Sequence, residues 1–431
     1  MTDQGREAAL IGALNVEGEP DEAAWKRVCD ALEGWSADGL AHTALPLAQP
    51  IIDAWDIERT APGEWLVACM DDGDDPRLLL ATRLTTLWHH RLSYDNIAAL
   101  LGSPSLCNLT ELSLYGPQLD DATFDALLHN PALGKVRRLI LQGCALDAPR
   151  VHALAVASHL RDLDDLHLAD GPIGAAALDA LLRVPLCAAI THLTLDNVGL
   201  DADGALALLA LPAARALEVL SLGGAGLGDE HVRALRAWGG LPRLRVLDLD
   251  DNTFTGAGLA ALCEGGELAT LESLSMTGCP LGPLASFPDT LAALETLCLD
   301  GCQLGDAGVR AIAASACTAP FMLSSFNNNG ITPDGLRDLL DSPRMIGSQF
   351  FHFNDNPLGD AGAMVCAQAS GMYDAWALHL SECGLGEEGV RALIASPHLK
   401  ALRHLFLVGG AGDRDTFRAL AANTGFAASI S

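Results

Sequence analysis

Few side chains in this sequence are spaced for chemistry, and each such group has a plainer reading. His352 and His379 stand 27 residues apart, at equivalent places in a repeating pattern, with Asp355 and Glu382 close by. On neighbouring strands their rings would lie about 5 Å apart, and with a carboxylate they could hold zinc or nickel. Exposed contact residues are the preferred reading, and neither metal nor cofactor is expected. Cys298 and Cys302 form a C-x3-C pair, but the pattern turns one thiol inward and the other outward, which suits neither zinc nor a redox couple. Gly223-Gly-Ala-Gly226-Leu-Gly228 has the glycine content of a phosphate loop. Leu220, Leu222 and Leu227 keep the apolar positions of the pattern, so it reads as an ordinary turn. Asp71-Asp72-Gly73-Asp74-Asp75 lacks the twelve-residue loop and closing glutamate of a calcium site and reads as a solvated acidic loop. No Ser/His/Asp set or carboxylate pair rises above the repeat, and no catalysis is expected.

The element that positions all of these is the repeat itself. In Leu244-Arg-Val-Leu247-Asp-Leu249-Asp-Asp-Asn252-Thr-Phe254, apolar residues fall at places 1, 4, 6 and 11, with asparagine at 9. That spacing suits a short strand followed by a tight turn. Steps of 27 back from Leu247 meet Leu220, Leu193, Leu166, Leu139, Leu112 and a degenerate Thr85. Forward come Leu274, then Leu297 after only 23, then Ser324, Phe351, Leu378 and Leu405 at 27 again. Twelve residues past these references stand Ile97, Phe124, Val151, Leu178, Val232, Leu259, Val309, Leu336, Val390 and Phe417. Three further on come Leu100, Leu127, Leu154, Leu181, Leu235, Leu262, Ile312, Leu339, Leu393 and Leu420, giving each unit a helix with one apolar stripe. Pro104, Pro131, Pro185, Pro212, Pro343 and Pro397, nineteen past the reference, are expected to stop the helices. The unit at Leu274 is short and holds Pro280, Pro283 and Pro288, so its outer segment should lack a helix and change the curvature locally. Ser324 and Phe351, with Phe321 and Ser348 before them, predict a local repacking.

Leu294-Glu-Thr-Leu297-Cys-Leu299-Asp-Gly-Cys302-Gln-Leu304 resembles the leucine-rich-repeat signature. Gly305-Asp-Ala-Gly-Val309, Gly359-Asp-Ala-Gly362 and Gly386-Glu-Glu-Gly-Val390 resemble its ribonuclease-inhibitor-like class. The resemblance covers residues 81–431 and implies an α/β leucine-rich-repeat solenoid: a curved horseshoe of about thirteen units, with a parallel inner sheet and outer helices. Twelve strand steps make that sheet about 58 Å long. At the Asn/Cys place of the signature, Asn252, Asn329 and Asn356 should serve the buried turn well, and Cys144, Cys279, Cys302 and Cys383 more weakly. Gly171, Val198, Ala225 and Pro117 offer no side-chain donor there.

Residues 1–80 differ from the rest, with 17 acids, five bases and four of the seven tryptophans (Trp25, Trp35, Trp55, Trp65). Pro20-Asp21-Glu22 opens a helix whose Trp25, Val28, Cys29, Leu32 and Trp35 share one face. Apolar segments are expected over 51–57, after Pro46 and Pro50, and over 64–70. A small helical N-terminal cap is the reading, because a repeat array needs its open end covered. Cys69-Met70-Asp71 is similar to the Cys-x-Asp signature of bacterial leucine-rich-repeat ubiquitin ligases, whose catalytic domains are several times longer than this segment.

The net charge of −29 would repel phosphates, so neither nucleic acid nor anionic membrane is expected as a partner. Three lysines beside 23 arginines suggest a GC-rich bacterial genome. With no basic-then-apolar leader and no long apolar run, a cytoplasmic monomer with twelve reduced cysteines is expected. On the repeat's strands, the places one before, one after and three after the reference should face the concave side. They make its middle acidic (Asp196, Asp248, Asp250, Asp300, with Asp251 beside them) and its C-terminal end aromatic and imidazole-bearing (Phe350, His352, His379, His404, Phe406). Because the fold alone asks for no charge there, the expectation is a non-catalytic module holding a protein with a basic patch beside an apolar residue. The alternatives are an enzymatic or adaptor activity in residues 1–80, targeted by the repeats, or inhibition of a basic enzyme.

Overall fold

A computed structural model describes residues 3–16, 18–86, 97–116, 119–144, 146–174, 190–209, 215–232, 242–266, 268–316, 320–409 and 429–430. Leu178, Leu181, Leu235, Phe417, Leu420, Pro117, Pro185 and Pro212 of the pattern lie outside the described residues. The chain divides into two compact units, Met1–Thr194 and Leu195–Ser431.

The first unit begins with helices. Asp21 caps Glu22–Leu32 by accepting the Ala24 N–H at 2.8 Å, and the helix buries Trp25, Val28, Cys29 and Leu32. Trp25 meets the buried Trp65 of helix Gly63–Asp72 edge to face, with ring centroids 5.8 Å apart. Two helices depart from expectation. Asp3–Leu14 has too few buried residues (Leu10, Ala13 and Leu14) to show a pattern in the sequence. Leu45–Ile52 begins before its prolines rather than after them, with Pro46 in the first turn and Pro50 inside.

Residues 59–61 run alongside strand β1 (Arg83–Thr86) in parallel, with Ala61 N–H donating to Arg83 O at 2.8 Å and Arg83 N–H to Arg59 O at 3.1 Å. This segment covers the exposed edge that a first strand would otherwise present. It is held by the buried Arg59 guanidinium, which donates to the carbonyl oxygens of Ile52, Trp55 and Leu80. The acidic loop before Pro76 is only half solvated. Asp74 accepts the hydroxyls of Ser103 and Ser105, and the buried Asp75 pairs with Arg77 at 2.6 Å.

Strands β2 (Glu111–Tyr115), β3 (Arg138–Gln142) and β4 (Asp165–Ala169) follow β1 in parallel and in sequence order. Leu84, not Thr85, sits opposite Leu112, so the first step is one residue longer than the period of 27. Strand β5 (His192–Asp196) spans the division between the units.

In the second unit the parallel strands are β6 (Val219–Ser221), β7 (Val246–Asp248), β8 (Ser273–Ser275), β9 (Thr296–Cys298), β10 (Leu323–Ser325), β11 (Phe350–His352), β12 (Ala377–His379) and β13 (His404–Phe406). Their register joins the expected references in one row, Leu220, Leu247, Leu274, Leu297, Ser324, Phe351, Leu378 and Leu405. Strand β14 (Ser429–Ile430) adds to β13. Helices Gly256–Cys263, Gly305–Ala313, Pro333–Leu340 and Glu387–Ile394 bury their expected stripes, and Gly359–Gln368, for which no stripe was expected, buries Ala363 and Cys366 at the same places. The short unit has no helix between β8 and β9, as its prolines require. Elsewhere Pro343 opens a 3₁₀ turn after a helix that has already ended at Leu340. Around β10 and β11 the buried Ser324 leaves volume that Phe326, Phe351 and Phe353 fill, with Phe326 and Phe353 stacked at 6.2 Å.

Side chains of one unit satisfy the backbone of the one before. Asn252 donates to Leu222 O and Leu249 O at 2.9 Å and accepts Leu227 N–H at 2.8 Å. Asn329 and Asn356 do the same for the carbonyls of Leu299 and Phe326. The thiols of Cys144, Cys279, Cys302 and Cys383 donate to the carbonyl oxygens of Leu114, Leu249, Met276 and Phe353 at 3.1–3.4 Å. All ten cysteines among the described residues are free.

A second link ties the helix starts together. Asp306 accepts Thr332 N–H at 2.8 Å, and Asp360 accepts the N–H groups of Gly386 and Gly389. These carboxylates sit so close to the next helix that a side chain on Gly335 would overlap Asp306 Oδ1 and come within 2.9 Å of its Cα. Gly335→Ala should therefore cost about 1–3 kcal/mol in urea unfolding. Adding Asp306→Ala should recover part of that loss, so the double variant costs less than the sum of the singles.

Candidate functional site

The face residues singled out from the sequence all fall in the second unit, at the strands and the turns that leave them. Beyond its last paired residue each strand bends away, and the N–H two residues on needs a new partner. The preceding strand supplies it. Asp196 Oδ1 accepts Gly223 N–H at 2.8 Å and the Ser221 hydroxyl at 2.6 Å. Asp250 Oδ1 accepts Thr277 N–H at 2.7 Å and the Ser275 hydroxyl at 2.6 Å. Asp300 takes Asn327 N–H and the Ser325 hydroxyl, both at 2.8 Å. The series continues in neutral form, as Asn327 accepts Asn354 N–H and Asn354 accepts Ser381 N–H, each at 2.7 Å.

These contacts correct the sequence argument. Asp196, Asp250 and Asp300 are not surplus to the fold, because each closes a backbone group of the next strand with a charge-assisted bond. The signal was present: each of these aspartates is followed 25 residues later by a serine (Ser221, Ser275, Ser325).

Asp248 occupies a place that elsewhere holds those serines, and it accepts Asp250 N–H at 2.9 Å. Burial pushes its carboxyl up to about 7, the charges of Asp250 and Asp196 adding to the rise and the Asp250 N–H opposing it. Asp250 is raised as well, by burial first, against the Ser275 and Thr277 donors. Cys298, half-buried on the next strand but one, is pushed up to about 11 by burial and by the charges of Asp300, Asp250 and Asp248. Those three carboxylates thus share one neighbourhood. Asp251, Asp355 and Glu382 stand exposed at turn tips, with φ of 54°, 58° and 57°.

Toward the last strands the face becomes a field of half-exposed rings in two rows. His352, His379 and Phe406 form one, with centroid separations of 4.1 Å and 3.9 Å. Phe350, Trp376 and His404 form the other, at 5.4 Å and 4.3 Å. Burial, with the charges of His352 and His404, lowers His379 to about 4. Burial likewise lowers His352, against the pull of Asp300. Both imidazoles are therefore neutral at neutral pH. Trp376 is the ring sequence reading missed: it lies two residues before its reference, where a side chain was not expected on the face, yet it bridges Phe350 and His404 and is 43% exposed. Among the described residues no group of three or more His, Cys, Asp or Glu side chains could hold a metal.

At the place Trp376 holds, two other repeats of the second unit carry arginine, Arg245 donating to Glu272 and Arg403 to the carbonyl oxygen of Leu402, but the strand-and-turn stretches that follow are one-signed. Across the strand-and-turn stretches 219–225, 246–252, 273–279, 296–302, 323–329, 350–356, 377–383 and 404–408 there is no lysine or arginine, although the chain has 26.

Parallel strands in sequence order, helices between them and a buried Asn/Cys series define the α/β leucine-rich-repeat fold. Residues 241–263 and 293–313 match the family described as Leucine Rich repeat. No curated protein matches the chain in sequence. Among solved structures it is similar to an internalin, InlF, from Listeria monocytogenes, at 16% identity over 76% of this chain and 87% of that one (TM-score 0.43). A leucine-rich-repeat protein of Leptospira interrogans shares 16% identity over 89% and 98% of the two chains (TM-score 0.39). TLR13, solved in complex with ssRNA13, shares 19% over 77% and 37% (TM-score 0.32). No described helix is long and apolar enough to cross a membrane.

The raised Asp248 gives a signed prediction. Between its ordinary value of 3.8 and about 7, the folded chain holds a proton that the unfolded chain has lost, so stability falls as pH rises through this window. Asp248→Asn removes that loss. Its thermal midpoint should exceed that of the parent by a margin that widens from about pH 5.5 to about pH 8; a margin independent of pH would refute the assignment.

Proposed function

We propose that this chain is a non-catalytic interaction module that holds a basic protein against the face of its second unit. The observation that carries the reading is the charge of the strand-and-turn stretches: seven carboxylates from Asp196 to Glu382 and two rows of rings, without one lysine or arginine on those stretches from β6 to β13. A fold that needs only some of those acids still presents Asp251, Asp355 and Glu382 to solvent. Such a surface attracts a basic patch and supplies aromatic anchors beside it, and it repels phosphate backbones. On this reading residues 1–80 act as the cap of the repeats. Buried free thiols support a reducing compartment such as the cytoplasm. An activity in the cap finds no support at Cys69, which is buried and whose thiol is raised by that burial, whereas an attacking thiolate needs the opposite.

The test neutralises charges that the fold does not use. Asp251→Asn, Asp355→Asn and Glu382→Gln together should leave the thermal midpoint unchanged, since asparagine tolerates the left-handed turn. The same variant should lose a basic protein that the parent captures from a host extract at low salt, and the parent's own capture should fade above about 0.3 M salt. Capture of that protein by the variant, undiminished at equal salt, would overturn the acidic face.

A further inference from the structure

We infer that the ring rows of β11–β13 are a cradle for an arginine side chain of the partner. The inference rests on the interaction-module reading and names its anchor. The first support is geometric. His352, His379 and Phe406 touch in series, with His379 and Phe406 only 18° from parallel. Phe350, Trp376 and His404 run beside them on the same three strands. Stacking takes up the inner faces of the first row, but Trp376, 43% exposed and tilted by 56° and 55° from its two neighbours, keeps part of its face open to a planar group.

The second support is the state of the rings. With His352 and His379 neutral, these two imidazoles bring no positive charge against a cation that approaches the electron-rich face of Trp376. The third is the charge around them. Asp300 lies close enough to act on His352, while Asp355 and Glu382 follow in the turns after β11 and β12. The base just before β13, Arg403, donates back to the carbonyl oxygens of Lys400, Ala401 and Leu402. An aliphatic anchor would leave this carboxylate rim unanswered. Between the two cations, guanidinium is planar, weakly hydrated and stacks on rings, whereas ammonium holds its water.

Two peptides of equal length and charge, alternating arginine with glycine or lysine with glycine, test this on the full chain by calorimetry at low salt. The parent should bind the arginine peptide about five- to tenfold more tightly. Trp376→Leu with Phe406→Leu should abolish that preference and leave lysine-peptide binding unchanged, while Phe406→Tyr keeps the ring and the preference. The charge-neutral variant at residues 251, 355 and 382 should weaken both peptides alike. Equal affinity for both peptides in the parent, or a preference that survives loss of both rings, overturns the cradle and leaves the acidic face standing. Failure of the parent to bind either peptide overturns the acidic face and the cradle with it.

Discussion

A stack of strand–turn–helix units has one unavoidable difficulty. Each unit's turn is buried by its neighbour, so its backbone N–H and C=O groups lose water and must find partners inside the protein. Everything distinctive in the second unit follows from how that need is met. The inward Asn or Cys serves the turn of the unit before, the face Asp or Asn closes the N–H of the unit after, and Asp306 and Asp360 hold the start of the next helix. These links run between units, not within them, so the period of the sequence is also the span of its polar contacts. Asparagine and cysteine are unequal in this role, because an amide donates and accepts strongly where a thiol does both only weakly.

The same need shapes the face. Three aspartates that a surface reading assigns to a partner are first of all backbone acceptors, set at every second repeat, and burial, with neighbouring carboxylate charge, raises Asp248 and Asp250. Where the series turns neutral, at Asn327 and Asn354, the charge cost disappears and rings occupy the neighbouring places. Acid in the middle and aromatic character toward the end are thus two regimes of one hydrogen-bonding device. Charge exposed at Asp251, Asp355 and Glu382 lies outside that device.

The register of the second unit was legible to the residue, because Leu220 to Leu405 must all point inward and a slip of one would expose the row. It failed at the first strand, where an extra residue puts Leu84 in the row and nothing in the local pattern marks the longer step. Helix Asp3–Leu14 and the strand-like segment 59–61 were invisible for a related reason: their partners are single and distant in sequence, so no period reveals them. The double duty of Asp196, Asp250 and Asp300 was written in their serines 25 residues on, but only knowledge of which N–H each turn leaves open gives that spacing meaning. Trp376 is not legible because strand geometry puts only alternate strand residues on the face, and this residue reaches it from just before its strand.

Residues 59–61 carry a consequence beyond covering an edge. A parallel sheet built from near-identical steps is a template for its own extension, since the first strand of one copy offers what the last strand of another could pair with. Arg59, locked to three carbonyls, occupies that place with a segment that is not a repeat, and β14 occupies the place beside β13 at the other end of the series. A strand added to that edge of β1 would have to displace the segment together with the three bonds that hold it.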